Sequence, residues 1–157
     1  MPNVLVVYYS RSGNTEAMAK LVAEGVESED VEVECKKVED TSVDDLLVVD
    51  GIILGSPTYY GTMAAEIKKL LDDSVKYHGK LDGKVGAAFS SAGGRGGGNE
   101  TTIMDMLRAL LIHGMVVQGD TKGDHYGPVA VGKPDERSSE ECKRRGARVA
   151  RLIKRLV

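Results

Sequence analysis

The sequence is poor in the residues that build metal clusters and membrane segments. Its two cysteines, Cys35 and Cys142, lie far apart, which excludes zinc ribbons, CxxC redox pairs and cysteine-ligated iron–sulfur clusters. No apolar run approaches the roughly 20 residues that a membrane-spanning helix needs. The segment Met1–Tyr9 lacks the basic start and the cleavage site of a signal peptide. We therefore expect a cytoplasmic protein with no membrane span.

The chain also lacks a strong charge of either sign. Its 24 acidic and 21 basic side chains give a formal net charge of −3, which predicts neither nucleic-acid binding nor a strongly acidic surface. Ser138 and Glu141 have the spacing of a capping box, and the basic helix that follows is interpreted as a solvated face rather than a nucleic-acid contact. With 41% hydrophobic residues, the 157 residues can bury a core, and we expect one domain over residues 1–157.

Apolar runs of two different periods alternate along the chain. Nearly continuous or alternating runs predict five strands, the second at a sheet edge and the fifth in two pieces: Val4–Tyr9, Val31–Lys36, Gly51–Leu54, Val85–Phe89, and Met115–Gln118 with Val129–Val131. Helical spacing predicts Asn14–Val26, a weak helix at Thr41–Leu47, a helix marked by Met63 to Leu71, one capped by Asn99 with a buried stripe ending at Leu111, and one from Ser138.

Strands that alternate with helices predict a parallel sheet with helices on both faces. We therefore predict the α/β class, with a doubly wound five-stranded parallel sheet, and for this sheet we take the strand order 2-1-3-4-5. Such sheets bind ligands at the carboxyl ends of their strands, where the strand order reverses. In this order strands one, three and four are neighbours, so the loops that follow them should form one continuous rim.

The first of these loops, Ser10–Thr15, has the features of an anion site. It supplies three hydroxyls, a flexible Gly13 and the unpaired N–H groups of a helix N-terminus, with Arg11 as its only cation. Four or five charge-assisted hydrogen bonds, at about 1.5–3 kcal/mol each, outweigh the absence of a lysine. The alternative is that its serines and asparagine only cap the helix. The loop is neither a nucleotide-triphosphate P-loop nor a dinucleotide fingerprint, because both glycine patterns are absent there.

The other two loops are suited to a flat ring. In Pro57–Gly61 a tyrosine beside a flexible glycine can stack on a ring while the backbone bonds its edge. The alternative is that Tyr59 and Tyr60 cap the core. The loop from Ser90 to Asn99 has no aromatic residue, and glycine fills five of the positions 93–98, so its backbone can approach a ligand closely. A floppy surface loop would leave that entropic cost unexplained. The three loops together suit flavin mononucleotide (FMN).

Short motifs in matching order extend along nearly the whole chain. They include VLVVYYS at Val4–Ser10, GSPTYY at Gly55–Tyr60, FSS at Phe89–Ser91, HGM at His113–Met115 and YG at Tyr126–Gly127. Through these motifs the chain resembles the flavodoxin-like superfamily and, more closely, the WrbA-type NAD(P)H:quinone oxidoreductases. The SxSGNT form of the first loop is similar to that of flavodoxins.

The resemblance implies a flavodoxin-like fold and FMN as cofactor. Ser10–Thr15 would bind the phosphate, Pro57–Gly61 and Ser90–Gly96 the isoalloxazine, and His113 would lie near the flavin, with Tyr126 available to cover the ring. The expected cofactor-binding residues are Ser10, Arg11, Ser12, Gly13, Asn14, Thr15, Pro57, Thr58, Tyr59, Tyr60, Gly61, Ser90, Ser91, Ala92, Gly93, Gly94, Arg95, Gly96, His113 and Tyr126.

The resemblance also implies a reaction. Such enzymes move two electrons from NAD(P)H to FMN and then to a quinone, by ping-pong hydride transfer. They are homo-oligomers, often tetramers, so we expect this chain to form a dimer or tetramer. Because the cofactor carries the chemistry, no acid–base residue is demanded. The alternative is a flavodoxin, a one-electron carrier. The SxSGNT loop favours the carrier, whereas the near-neutral charge and the single aromatic loop argue against it. A flavin-binding partner protein without turnover is a third possibility.

Overall fold

Seven strands form one sheet, and four helices cover its two faces. The structure is a computed structural model that describes residues 1–157. The strands are β1 (Asn3–Tyr8), β2 (Glu32–Lys37), β3 (Gly51–Tyr59), β4 (Thr62–Met63), β5 (Val85–Ala92), β6 (Val116–Val117) and β7 (Val129–Val131). The helices are α1 (Asn14–Glu27), α2 (Ala65–Asp73), α3 (Asn99–Ile112) and α4 (Glu136–Leu156). No helix combines the length and the apolar character needed to cross a bilayer.

The strand order confirms the predicted topology. The sheet runs β2-β1-β3-β5-β6 with these strands parallel, while β4 pairs antiparallel with the end of β3. Strand β6 pairs with the start of β5 and β7 pairs in parallel with its end. The predicted split fifth strand is therefore β6 followed by β7. The half-exposed run is the edge strand β2, as expected. The flavodoxin-like order 2-1-3-4-5 therefore holds.

Both faces of the central strands are buried, which explains their nearly continuous apolar sequences. Along β1, Val4, Val6 and Tyr8 pack beneath α1 and α4, whereas Leu5 and Val7 pack beneath α2 and α3. Strand β3 alternates in the same way, with Ile53 on the first face and Ile52 and Leu54 on the second. The sheet thus separates two hydrophobic clusters, and its ends are left for polar residues.

Two helix predictions in the first half of the chain need correction. The segment Thr41–Leu47 forms no α-helix; its helical part is the short 3-10 helix Val43–Leu46, which follows another 3-10 helix at Val38–Asp40. Met63 lies in β4 rather than in a helix, and α2 begins only at Ala65. The Met63 side chain packs in the core from β4, so the helical spacing of these apolar residues did not by itself indicate a helix at Met63.

The predicted starts of the last two helices also need correction. Helix α3 is capped by Gly98 in the left-handed conformation rather than by Asn99, and Leu111 of its predicted inner stripe is 52% exposed. Helix α4 begins two residues early, because Asp135 is its N-cap. The Asp135 carboxylate accepts a 2.8 Å bond from the Ser138 N–H, and the Ser138 hydroxyl accepts a 2.9 Å bond from the Asp135 N–H. Ser138 is therefore the third helical residue of a capping box.

Helices α1 and α4 cross so closely that only glycine fits at the crossing. A Cβ atom on Gly25 would lie 2.0 Å from the Lys143 carbonyl oxygen, and one on Gly146 would lie 2.0 Å from the Val22 carbonyl oxygen. Both obstacles are helix backbone, which cannot move aside as a flexible side chain does. The two glycines therefore set the distance between the helices on this face of the sheet.

Replacing Gly146 by Ala should lower the free energy of unfolding by about 1–3 kcal/mol, because the added methyl overpacks the crossing. Glycine-to-alanine changes within helices normally stabilise a protein, so a loss of stability here would itself indicate the close crossing. Urea unfolding measures the effect. The control is Glu140→Ala on the exposed side of α4, which should change stability little. A more stable Gly146→Ala protein would contradict the close crossing.

Candidate cofactor site

The turn between β1 and α1 presents unpaired backbone donors to open space. Gly13 precedes α1 with φ +98°, and a Cβ atom there would meet no atom within 4 Å. The Gly13 N–H donates to the Ser10 hydroxyl at 3.1 Å, and the first helical bond runs from Ala17 N–H to the Gly13 carbonyl. The N–H groups of residues 14–16 have no acceptor within the protein. Such a helix N-terminus favours an anion.

A carboxylate in the first turn of α1 is directed away from this anion site. Glu16 accepts a 2.8 Å bond from the Tyr8 hydroxyl and lies 3.6 Å from Lys20. The bond from Tyr8, followed by the charge of Lys20, lowers the pKa of Glu16, so the carboxylate is ionised at neutral pH. Burial raises the pKa of Tyr8, and its bond to Glu16 raises it further, so Tyr8 remains a hydrogen-bond donor.

The threonine of the turn ties it to the sheet. Its Oγ1 lies 2.8 Å from Oγ of Ser91 at the end of β5, and both residues are buried. The Thr15 hydroxyl therefore links the start of α1 to the end of β5, and its backbone N–H is the group left for an anion. By contrast, the exposed Ser12 side chain makes no hydrogen bond within the protein.

The second predicted loop is mostly strand. Strand β3 continues through Pro57 and Thr58 to Tyr59, and the hairpin turn consists of only Tyr60 and Gly61, with φ of +50° and +80°. The Tyr60 side chain is fully exposed, so the alternative that it caps the core is wrong. The half-buried Tyr59 ring is the aromatic surface that the site offers.

The third loop starts later than predicted, because Ser90, Ser91 and Ala92 belong to β5. Above Gly93, Gly94 and Gly96 the structure is open, since a Cβ atom at any of them would meet nothing within 4 Å. Arg95 and Gly96 line a groove of about 430 Å³ that extends past the start of α3 to Val129 and Val131. The loop therefore borders open space large enough for a ligand.

The second and third loops touch. Gly98 has φ +112°, and a Cβ atom on it would lie 2.8 Å from the Cα of Gly61. The Thr101 hydroxyl donates to the Gly61 carbonyl at 2.6 Å. Because both the backbone angle and the space require glycine at position 98, this contact fixes the distance between the two loops.

Hydroxyl bonds join the strand ends beneath the loops. Thr58 Oγ1 lies 2.9 Å from Ser90 Oγ, donates to Asn99 Oδ1 at 3.3 Å and accepts from Thr102 Oγ1 at 3.2 Å. The sequence predicted Thr58 and Ser90 as cofactor residues, but it did not indicate that Asn99 and Thr102 would hold them. The only signal in the sequence for this supporting role was a threonine, Thr102, in the first turn of a helix that follows a loop. The predicted rim thus exists.

His113 does not join this rim. It lies just after the C-terminus of α3, which runs antiparallel to the strands, so a 14-residue helix of about 20 Å separates it from the loops. Its Nε2 bonds to Ser74 Oγ at 2.8 Å. Burial lowers the pKa of His113, and the nearby His78 lowers it further. The expectation that His113 lies near the flavin is therefore wrong for the site of a single chain. The resemblance indicated which residue to consider but not where the fold places it.

Tyr126 lies beside the rim rather than over the Tyr59 ring. It is half exposed and lines a groove along α3 with Thr101, Met104 and Arg108. This groove adjoins the one that Arg95 lines, since both include Thr101. The role of Tyr126 as a cover for the ring stays a prediction.

The loop that carries Tyr126 is anchored to α4 by a buried carboxylate. Asp120 accepts bonds of 2.7 and 2.8 Å from Arg144, lies 3.4 Å from Arg148 and accepts the Lys122 N–H at 2.9 Å. The bonds from Arg144 hold the pKa of Asp120 well below its usual range. The basic face of α4 is thus partly engaged within the chain.

The residues of the rim fit the parts of FMN. The open turn at Gly13 offers backbone donors for a phosphate, and the Tyr59 ring with the glycine backbone offers a surface for a flat ring. The comparison with known proteins agrees, because the flavodoxin domain family matches residues 5–126. The chain belongs to this family of flavoproteins, and the membership confirms FMN as the cofactor.

Relatives of two kinds match nearly the whole chain. The flavodoxin of Aquifex aeolicus is 43% identical over 162 residues, covering 98% of this chain and 88% of that protein. The NAD(P)H dehydrogenase (quinone) of Archaeoglobus fulgidus is 32% identical over 190 residues, covering 99% and 100%. The crystal structure of the flavodoxin, WrbA-like protein from Agrobacterium tumefaciens has a TM-score of 0.85 at 28% identity and covers both chains completely. The resemblance to WrbA-type proteins is confirmed.

Replacing Ser12 by Ala should weaken FMN binding by about 1.5–3 kcal/mol, the range for a hydrogen bond to a charged group. Riboflavin, which lacks the phosphate, should bind equally well to both proteins. Quenching of flavin fluorescence during titration measures both affinities. Ser139→Ala is the control, because that hydroxyl also makes no hydrogen bond within the protein and belongs to α4 rather than to one of the three loops. An equal loss for both flavins would remove Ser12 from the phosphate site.

Replacing Asp120 by Asn should lower the free energy of unfolding at pH 7 by about 1.5–3 kcal/mol. Because the folded pKa lies below the unfolded value of about 3.9, the ionised carboxylate stabilises the fold above that value. The stabilisation is lost as pH falls toward the folded pKa, so the two proteins should differ equally at pH 7 and 5 and less below about pH 4. Urea unfolding at each pH tests this, with Asp40→Asn as the exposed control. A difference in unfolding free energy between the two proteins that grows as the pH falls would contradict this stabilising role of Asp120.

Proposed function

We propose that the protein is an FMN-dependent oxidoreductase that takes two electrons from NAD(P)H and passes them to a quinone. The observation that carries this proposal is the open side of the rim. The β3 side supplies the Tyr59 ring, while the facing loop after β5 has no aromatic residue and exposes glycine backbone at Gly93, Gly94 and Gly96. A flavin held against Tyr59 would keep its other face accessible to a second flat ring, as hydride exchange with a nicotinamide requires.

The contribution of the chain is binding and orientation. The N–H groups of residues 14–16, with the hydroxyls of Ser10 and Ser12, would hold the phosphate. Backbone groups of the Tyr60–Gly61 turn and of the glycine loop would bond the edge of the ring. FMN, when bound, supplies the ability to accept electrons in pairs or singly, so no side chain has to act as an acid or base.

The names of the relatives support this choice of substrates. Besides the Archaeoglobus fulgidus protein, the NAD(P)H dehydrogenase (quinone) of Sinorhizobium fredii is 34% identical over 99% of this chain. NAD(P)H as donor and a quinone as acceptor are therefore the first pair to test.

A one-electron carrier is the second candidate, and a specific observation favours it. The alignment with the Aquifex aeolicus flavodoxin spans 162 positions, only slightly more than the 157 residues of this chain. The alignment with the Archaeoglobus fulgidus dehydrogenase spans 190 positions, so that protein has segments with no counterpart here. In length the chain is therefore closer to the flavodoxin than to the dehydrogenase.

We also propose that the protein is a homo-oligomer, a dimer or tetramer. Apolar side chains are exposed on the second half of α3 and on the neighbouring strand β6, namely Leu111, Ile112 and Val116. Exposed apolar patches of this kind mark association surfaces. Light scattering after size-exclusion chromatography measures the mass directly, and a monomer of 16.8 kDa would end this proposal.

Anaerobic addition of NADH or NADPH to the FMN-loaded protein should bleach its flavin absorbance within the first seconds. Subsequent menadione should restore the absorbance, and both together should give continuous turnover. Free FMN at equal concentration is the control. No bleaching by either nucleotide, combined with a dithionite titration in two separate one-electron stages, would replace the enzyme by the carrier.

A further inference from the structure

The aromatic surface of the site is in contact with a cation from the phosphate turn. The guanidinium carbon of Arg11 lies 4.8 Å from the centroid of the Tyr59 ring, within the range of a cation–π contact. Tyr9 packs against the same ring edge-on, with centroids 6.4 Å apart and an interplanar angle of 79°. Arg11 therefore covers one face of Tyr59, while Tyr9 holds the ring from its side.

Arg11 is held there by no other bond. It is exposed, and it forms neither a hydrogen bond nor a salt bridge with any residue. Glu66, at the start of α2, adds negative charge near Tyr59 but makes no ion pair with Arg11. The contact with the ring is thus the single interaction that orients this side chain.

The same arginine is the only cation of the turn that binds phosphate. A charge-assisted hydrogen bond to a phosphate is stronger than a cation–π contact at an exposed position. A phosphate at Gly13 would therefore attract the guanidinium away from Tyr59. A flavin without a phosphate offers no such partner, and it would have to displace Arg11 without compensation.

We propose that Arg11 is a specificity-determining residue that exchanges between the Tyr59 ring and the flavin phosphate, so that the ring surface is released for a phosphorylated flavin. The proposal rests on the FMN site described above and is independent of which donor or acceptor the protein uses. Arg11 then acts twice in selection, because it attracts FMN and obstructs riboflavin.

Titration of both flavins against the apoprotein, followed by flavin fluorescence, tests the proposal. Arg11→Ala should weaken FMN binding about tenfold or more, the loss of a bond to a charged group. The same change should strengthen riboflavin binding about two- to fivefold, the release of an exposed cation–π contact. Arg155→Ala, which removes an exposed arginine near the end of α4, should leave both affinities unchanged.

A second variant keeps the test independent of general damage to the turn. In the Tyr59→Leu background, where no aromatic face exists, Arg11→Ala should no longer improve riboflavin binding but should still weaken FMN binding. Weaker or unchanged riboflavin binding in the single Arg11→Ala variant would overturn the proposal, as would an improvement that persists with Leu at position 59. A wild-type protein that binds neither flavin would instead refute the cofactor site itself.

Discussion

The site depends on hydroxyl bonds that hold the first turn of α1 and the carboxyl ends of β3 and β5 together. Thr15 meets Ser91 at 2.8 Å, and Thr58 meets Ser90 at 2.9 Å, so the first turn of α1 and the end of β3 are both tied to β5. Buried hydroxyls that pair with one another avoid the cost of lost hydration. Each bond joins residues far apart in sequence, and the three loops form one rim because their strand ends cannot separate.

Packing beneath the rim also holds β3 and β5 close together. Gly55 lies opposite Phe89 in the sheet register, and a Cβ atom on it would lie 2.1 Å from the Phe89 ring. The only phenylalanine of the chain therefore fills the space that a glycine leaves, directly before the serine and threonine residues of the two strands. This close approach brings β3 and β5 into the register that pairs Ser56 with Ser90.

Much of this arrangement could be predicted from the sequence, and the failures have physical reasons. Strands buried on both faces have apolar runs that no solvent-exposed segment would carry, so the strands were predictable, and the rim followed once the order 2-1-3-4-5 was taken for them. Polar residues at the ends of β3 and β5 were assigned to loops, because local sequence does not reveal that the Ser56 hydroxyl accepts the Ala64 N–H or that Ser90 pairs with Thr58 of the neighbouring strand. The position of His113 depends on the direction of α3, which a motif does not contain. Likewise, Asp135 replaces Ser138 as helix cap through a carboxylate bond visible only in three dimensions.

The claim that most of this account depends on is that FMN occupies the rim with its phosphate at the turn before α1. Titration of the 15N-labelled apoprotein with FMN, followed by amide NMR, tests it most directly. We expect the largest shifts at the amides of residues 12–16, 59–61 and 93–98, with the amides around Ser74 and His113 unchanged. Shifts concentrated at that opposite end of the sheet, or spread over separate surfaces, would contradict the account.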